Sequence, residues 1–129
     1  MRNFRNLNIW KDAINIVKEI YLLAGYLPKE EKYGLTSQIS RASISIPSNN
    51  LPDGSQVAEG CSRNSQTEYK RFLKIAIGSA FELETQLFLI KELNLVPGYK
   101  IANLFEMLNK EQQSINSLIS KIKATTYKE

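Results

Sequence analysis

The carboxylates and the single thiol are the side chains through which this sequence could do chemistry. The 129 residues include no histidine, and Cys61 is the one cysteine. Without histidine there is no Ser-His-Asp or Cys-His nucleophile and no histidine-containing metal site. Glu59, Glu82 and Glu84 could supply carboxylates, but the di-iron sites of helical bundles also need Glu-x-x-His motifs. The sequence therefore predicts no catalytic residue, no metal and no cofactor.

Arg41 is expected to form a structural ion pair. It lies close to the apolar stripe of the second predicted helix, where an unpaired interior charge would be costly. Glu82 and Glu84, in the middle of the third predicted helix, are the candidate partners. Because these glutamates are two residues apart, they do not share a helix face, which argues against paired acid–base catalysis. We expect an interhelical salt bridge from Arg41 to Glu82 or Glu84.

Basic residues are the second group with a binding role to consider. The chain has 17 Lys and Arg against 13 Asp and Glu, a net charge of +4 and a pI of about 9.2. This charge permits a nucleic-acid or other acidic partner without requiring one. The sequence has no recognisable DNA- or RNA-binding motif, so any binding should depend on charge and shape. The candidate nucleic-acid contact set is Arg63, Lys70, Arg71 and Lys74, which in a monomer could equally be ordinary solvated charges.

The elements that carry these residues are predicted helices. Apolar residues recur at steps of three and four, and no strand-like alternation is sustained. The predicted helices cover residues 5–25, 30–47 with a resumption at 57–62, 65–94 and 97–124. Gly25 and Asn94 are expected to end the first and third helices, and Ser65 with Glu68 forms a capping box expected to begin the third. Short connections make one domain over residues 1–129, an all-α up-down-up-down four-helix bundle.

The first helix has two apolar stripes. The stripe expected to face the core is Leu7, Trp10, Ile14, Val17, Tyr21 and Ala24. A second stripe beside it is Ile9, Ala13, Ile16, Ile20 and Leu23, and the third helix adds Phe72, Ile75, Phe81 and Phe88. These additional residues either broaden the core faces or form an interface between subunits. Gly78, in the middle of the third helix, is expected to allow close approach of a neighbouring helix.

The segment from Tyr33 to Asn49 resembles the signature of a bacterial protein family. It reads YGLTSQISRASISIPSN, and the resemblance resumes at VAEGCSR (57–63) and at GSAFELE (78–84). The opening around Trp10 is similar as well, so the resemblance spans residues 4–122. The chain resembles the four-helix-bundle proteins that are often encoded within intervening sequences of 23S ribosomal RNA genes.

This resemblance implies a left-handed bundle that assembles into a ring, with a homopentamer as the expected form. The family is similar to accessory proteins of diversity-generating retroelements, which are basic pentamers that work with a reverse transcriptase and its RNA. The expected partners are therefore further copies of the chain, RNA or DNA, and a reverse transcriptase. The expected function is non-enzymatic and nucleic-acid-associated, and the alternative is a structural scaffold whose partner is another protein.

A cytoplasmic location without membrane contact is expected. The longest apolar run, residues 20–27, is far shorter than a membrane span. Charged residues such as Lys11 and Lys18 interrupt what a signal peptide would keep apolar. One cysteine cannot close an intrachain disulfide, so nothing points to an oxidising compartment.

A seven-residue segment interrupts the family pattern. The family continues from Ser-Ile-Pro-Ser-Asn directly to an aliphatic residue and Ala-Glu-Gly. Here the intervening residues are Asn50, Leu51, Pro52, Asp53, Gly54, Ser55 and Gln56. Pro52 and the turn-forming pair Asp53-Gly54 oppose a helix, so we expect the second helix to break near Pro47 and a loop to protrude. Natural loop variation and deliberate insertion both explain the segment. Because the family pattern is otherwise uninterrupted on both sides of it, an engineered insertion is favoured.

Overall fold

Four helices make up most of the structure. The computed structural model describes the backbone of residues 4–50 and 63–128 and the side chains of residues 8–50 and 66–122. The helices are α1 (Phe4–Ala24), α2 (Leu35–Asn50), α3 (Arg63–Glu92) and α4 (Tyr99–Lys128), with a 3-10 turn at Lys29–Glu31. These described ranges contain no strand, and the helices pack on one another. The predicted all-α four-helix bundle is confirmed.

The helices form a closed arrangement in which each one packs against its neighbours in sequence. In addition, α1 packs against α4, so α1 lies diagonally opposite α3 and α2 lies diagonally opposite α4. The contacts between α2 and α3 give their relative direction. Arg41 meets Glu82, and four residues later Ser45 meets Ser79. Because the residue number falls on α3 as it rises on α2, these two helices are antiparallel.

The core is a continuous cluster of aliphatic side chains drawn from all four helices. Burying a side chain of this size contributes roughly 1.5–3 kcal/mol relative to leaving it in water. This burial, repeated along each helix, holds the bundle together. The largest fully buried side chains are Ile16, Ile20, Ile39, Ile46, Leu73, Leu83, Leu87, Ile90, Ile101, Leu104, Leu108 and Ile115.

The two apolar stripes of α1 have roles opposite to those expected. The second stripe, from Ile9 to Leu23, is the buried one, with every member at most 4% exposed. In the first stripe, Trp10, Ile14 and Val17 are only half-buried and Tyr21 is 53% exposed. The two stripes are offset by one residue, or about 100° around the helix. The second stripe is therefore core and not a subunit interface, and the first stripe lies at the edge of the core.

Backbone hydrogen bonds end α1 and α3 in different ways. Asn94 adopts a left-handed φ of 55° just after α3. Its amide donates to the Lys91 carbonyl at 3.0 Å, and the Leu95 amide donates to the Ile90 carbonyl at 3.1 Å. These two bonds form a Schellman motif, which satisfies carbonyls that the helix itself leaves free. Gly25 follows the end of α1 as predicted, but it does not take a positive φ. Its amide donates instead to the Leu22 carbonyl at 3.2 Å, a bond of the 3-10 type.

The beginnings of α2 and α3 differ from the prediction. α2 begins at Leu35, after a separate 3-10 turn, and the Glu31 carboxylate accepts from the Leu35 amide at 3.3 Å. α3 begins at Arg63, so Ser65 lies inside the helix and is not its cap. The Glu68 carboxylate accepts from Arg71 one turn later. The predicted capping box is therefore wrong.

Helix α2 continues through Pro47 and does not break there. Proline removes one backbone donor, but Pro47 is only three residues from the end of the helix. Two side chains then donate to nearby carbonyls: Ser48 Oγ to Ile44 at 2.8 Å and Asn49 Nδ2 to Ser45 at 2.7 Å. With these bonds the last turn of α2 extends to Asn50.

The sequence predicted that Asn50 would begin a loop. In the structure it is instead a buried residue of α2. The rest of the predicted insert, Leu51, Pro52, Asp53, Gly54, Ser55 and Gln56, lies outside the described residues, as does the predicted resumption at 57–62 with Glu59 and Cys61. The origin of the segment, natural or engineered, stays a hypothesis of the sequence.

Candidate nucleic-acid interface

The first turns of α3 carry the four predicted contact residues. Arg63 begins the helix, and its side chain lies outside the described ones. Lys70 is half-buried and Lys74 is exposed. Because they are four residues apart, they lie on one face of α3. Among the described side chains, no carboxylate forms an ion pair with either ammonium group. No described carboxylate therefore neutralises these two positive charges locally.

Arg71 differs from these lysines because it has an acidic partner on its own helix. Its Nε lies 2.9 Å from Glu68 Oε1, and its Nη2 lies 3.0 Å from Glu68 Oε2. This bidentate bond raises the pKa of Arg71 above its ordinary value and lowers the pKa of Glu68. The guanidinium also lies 5.1 Å from the centre of the Phe72 ring. Arg71 offers less uncompensated charge to a ligand than Lys70 and Lys74 do.

Two exposed aromatic rings continue the face that begins with the lysines. Lys74, Phe81 and Phe88 are spaced seven residues apart, so they follow nearly one line along α3. Phe81 is 50% exposed and Phe88 is 53% exposed. Exposed rings of this kind stack on nucleic-acid bases or mark protein association. Both rings were predicted to lie on apolar faces, and no sequence pattern connected them with the basic cluster.

Gly78 lies in the open on α3, contrary to expectation. A Cβ built on it would meet no atom within 4 Å, so no helix described within this chain approaches it closely. The neighbouring Ser79 is the buried small residue, and its Oγ donates to Ser45 Oγ at 2.7 Å. The close contact between α2 and α3 therefore involves Ser79 and not Gly78.

The Arg41 ion pair lies at the surface between α2 and α3. Arg41 Nη2 is 2.5 Å from Glu82 Oε2 and 2.9 Å from Gln38 Oε1. The Arg41 and Glu82 side chains are 58% and 41% exposed, so this is not the interior pair that was expected. Glu84 makes a different contact, accepting from Gln112 Nε2 of α4 at 3.3 Å. An exposed pair of this kind contributes about 0.2–1 kcal/mol.

A cleft of about 530 Å³ lies between α1 and α4, and nothing in the sequence predicted it. Two positive side chains and one negative one line it, and the opposite charges of Lys110 and Asp12 approach to 3.7 Å. The lining residues come from opposite ends of the sequence, so no local pattern brings them together. They are Asn8, Ile9, Asp12, Lys110, Ser114, Ser117, Leu118 and Lys121.

Neither a metal site nor a membrane span is found in the described part of the chain. Within it, no three Cys, Asp or Glu side chains converge in a way that could hold a metal ion. No described helix combines the length and apolar character needed to cross a bilayer.

These features define a small four-helix-bundle protein. Lys70 and Lys74 give its third helix a basic face. Over residues 5–117 the chain matches the family described as 23S rRNA-intervening sequence protein, and it belongs to that family. A solved protein of unknown function from the S23 ribosomal protein family of Bacteroides thetaiotaomicron has a similar fold, with a TM-score of 0.74 at 19% identity. The alignment covers 91% of this chain and 99% of that one. A search of curated proteins finds no match.

Proposed function

We propose that this chain is a non-enzymatic, cytoplasmic, self-associating bundle that binds nucleic acid through the basic face of α3. The observation that carries the proposal is the pair Lys70 and Lys74, one turn apart on α3 and without an acidic partner among the described side chains. Two uncompensated ammonium groups on one face suit neighbouring phosphates. Such contacts position a nucleic acid without reading its sequence.

Self-association would multiply this charge. Five copies of a chain with net charge +4 carry about +20, which attracts a polyanion strongly at low ionic strength. Binding should then weaken steeply as salt rises, because each phosphate contact releases condensed counterions.

The test is fluorescence anisotropy with a structured RNA and a matched DNA duplex, each measured across a salt series. Lys74→Glu should weaken binding and reduce the steepness of the salt dependence by about one unit of the log–log slope. Lys18→Glu is the matched control, since it makes the same charge change on α1, diagonally across the bundle. Weak, salt-independent binding by the wild type, or equal losses in both variants, would contradict the proposal.

Exposed apolar residues on opposite sides of the bundle support self-association. Phe81 and Phe88 lie on α3, and the half-buried stripe of Trp10, Ile14 and Val17 lies on α1. Patches of exposed apolar surface favour association. When two different faces meet head to tail, the contacts can close into a ring, as the expected homopentamer requires. Gly78 leaves room beside Phe81 for a second copy.

Light scattering after size exclusion tests this part of the proposal. Phe88→Ser should shift the wild-type oligomer towards smaller species. Tyr33→Ser removes a ring that is more exposed, at 87%, but lies outside both faces, and it should leave the mass unchanged. A wild type that stays monomeric at high concentration would overturn the oligomer.

A second candidate function is a protein-interaction scaffold. The same apolar stripe of α1 and rings of α3 favour it, because they fit a protein partner as well as a second copy. A reverse transcriptase stays the partner that the family resemblance predicts. Flat anisotropy curves at low salt, together with a stable complex that requires Phe88, would favour this function over nucleic-acid binding.

A further inference from the structure

A carboxyl group and a carboxamide meet in the interior of the bundle. Asn50, the last residue of α2, and Glu111, in the middle of α4, are both fully buried. Asn50 Nδ2 donates to Glu111 Oε2 at 2.9 Å. The contact joins two helices that face each other diagonally, and neither side chain takes part in the proposed nucleic-acid face.

Within the described part of the chain, this contact leaves two buried oxygen atoms without a donor. Among the described residues, no group donates to Asn50 Oδ1 or to Glu111 Oε1. A buried acceptor without a hydrogen bond is unfavourable, and native structures contain few of them. Because an ionised carboxylate and an amide oxygen are both acceptors only, they cannot satisfy each other. One proton on Glu111 would satisfy both atoms, since the acid O–H could then donate to the amide oxygen.

We propose that Glu111 is the protonated acid at neutral pH and that it forms a reciprocal carboxylic acid–carboxamide pair with Asn50, which fastens the end of α2 to α4. In this pair the amide N–H donates to one carboxyl oxygen while the other carboxyl oxygen, carrying the proton, donates to the amide oxygen. Loss of the proton at alkaline pH removes one of the two bonds and leaves a charge inside the core. The pair is therefore a pH-sensitive link between α4 and Asn50, the last described residue of α2.

The charged and titratable groups around Glu111 agree with a protonated acid. Asp12 of α1 is a nearby negative charge, while Lys110 of α4 is a positive one that lies 3.7 Å from Asp12. From α3, the Tyr69 hydroxyl donates to the backbone oxygen of Asn50 at 3.4 Å. Burial and, secondly, the charge of Asp12 raise the pKa of Glu111 to about 8, although the hydrogen bond from Asn50 and the charge of Lys110 act in the other direction.

The sign of the pH dependence follows from this shift. The unfolded chain releases the Glu111 proton near its ordinary pKa of 4.5, whereas the folded chain holds it up to about pH 8. Between these values the folded state binds more protons, so stability falls as pH rises. This one group should lower the folding equilibrium constant by close to tenfold for each pH unit in that window, and by nothing further above it.

Urea unfolding of the whole chain at several pH values between 5 and 9 tests the proposal. Glu111→Gln keeps the shape and both hydrogen bonds of the pair but cannot titrate. The folding constant of the wild type, divided by that of Glu111→Gln, should fall about seventyfold between pH 5 and pH 7. Glu106→Gln, an exposed position on the same helix, is the control and should follow the wild type. A constant ratio for Glu111→Gln would overturn the proposal.

Carbon-13 NMR of the wild type gives an answer even if Glu111→Gln fails to fold. The Glu111 carboxyl carbon should titrate near pH 8 in the folded protein. Titration near pH 4.5 would mean an ionised carboxylate at neutral pH and would overturn the pair. Amide exchange tests the fastening itself: the amides of Ser48 to Asn50 should lose protection at pH 9 relative to the middle of α2. Unchanged relative protection would mean that the pair does not fasten the end of the helix.

Discussion

Ser79 on α3 donates a hydrogen bond from its Oγ to Ser45 Oγ on α2 at 2.7 Å, between two helices that run antiparallel. Ser45 Oγ also accepts from Asn49 Nδ2 at 3.2 Å, so the contact between the helices continues along α2 towards its last turn. Ser79 is 9% exposed, and its hydroxyl would have little access to water without this partner. The pair combines small volume with hydrogen bonding, which lets two helix backbones lie close together.

Replacement of Ser79 by alanine should cost a modest amount of stability. The change removes one donor and keeps the volume small, so we expect a loss of about 0.5–1.5 kcal/mol in urea unfolding. Ser45→Ala should cost a similar amount, and the double variant should cost less than the sum, because both changes remove the same bond. Strict additivity of the two losses would show that the hydroxyls do not interact.

Replacing single isoleucines of α1 by alanine should show which of its two apolar stripes belongs to the core. Ile16 is fully buried, so Ile16→Ala should destabilise the bundle by about 2–5 kcal/mol. Ile14 is only half-buried, and Ile14→Ala makes the identical chemical change with a smaller loss of buried area. Thermal and urea unfolding at low protein concentration measure both losses in the monomer. A larger loss for Ile14→Ala would reverse the assignment of the stripes.

The helical periodicity predicted the fold but not the rotation of α1. The two stripes differ by one residue, and both repeat at steps of three and four, so periodicity ranks them equally. What distinguishes them is which helices lie on either side of α1. Asp12 lies one residue before Ala13 and faces α4, where it pairs with Lys110. The buried stripe packs against the core through contacts between residues far apart in the sequence, and no local pattern contains them.

The end of α2 shows a second limit of local sequence patterns. Pro47 and the segment after it both suggested a break, because proline lacks a donor and disfavours helix interiors. The helix continues because the Ser48 and Asn49 side chains donate to backbone carbonyls one turn earlier. In addition, Asn50 forms a hydrogen bond with Glu111 in the core. The candidate site could be predicted only in part. The basic cluster was visible in the sequence, but the bidentate bond between Arg71 and Glu68 depends on side-chain geometry.

Removal of the ion pair between Arg41 and Glu82 should have a small effect. Both side chains are substantially exposed, so water and salt screen their attraction. Arg41→Ala should cost less than about 1 kcal/mol, and the coupling with Glu82→Gln in a double-mutant cycle should shrink at high salt. Urea unfolding at low and high NaCl measures both quantities. A salt-independent coupling above about 2 kcal/mol would mean that the pair is buried, as the sequence first suggested.

Neutralising Glu68 should strengthen nucleic-acid binding. Glu68 places a negative charge in the first turns of α3 and holds Arg71 in a bidentate bond. Glu68→Gln removes that charge and releases the guanidinium, so affinity at low salt should rise about twofold to fivefold. Anisotropy binding to the RNA and DNA used for Lys74→Glu measures the gain.

Two further variants make this prediction specific to the basic face. Glu92→Gln makes the same charge change on the same helix but about 36 Å further along it, and it should leave affinity nearly unchanged. In an Arg71→Ala background, Glu68→Gln should lose the part of its gain that comes from freeing the guanidinium, because there is no arginine left to release. An equal gain from Glu68→Gln and Glu92→Gln would indicate a response to net charge alone and would argue against the basic face of α3 as the contact surface.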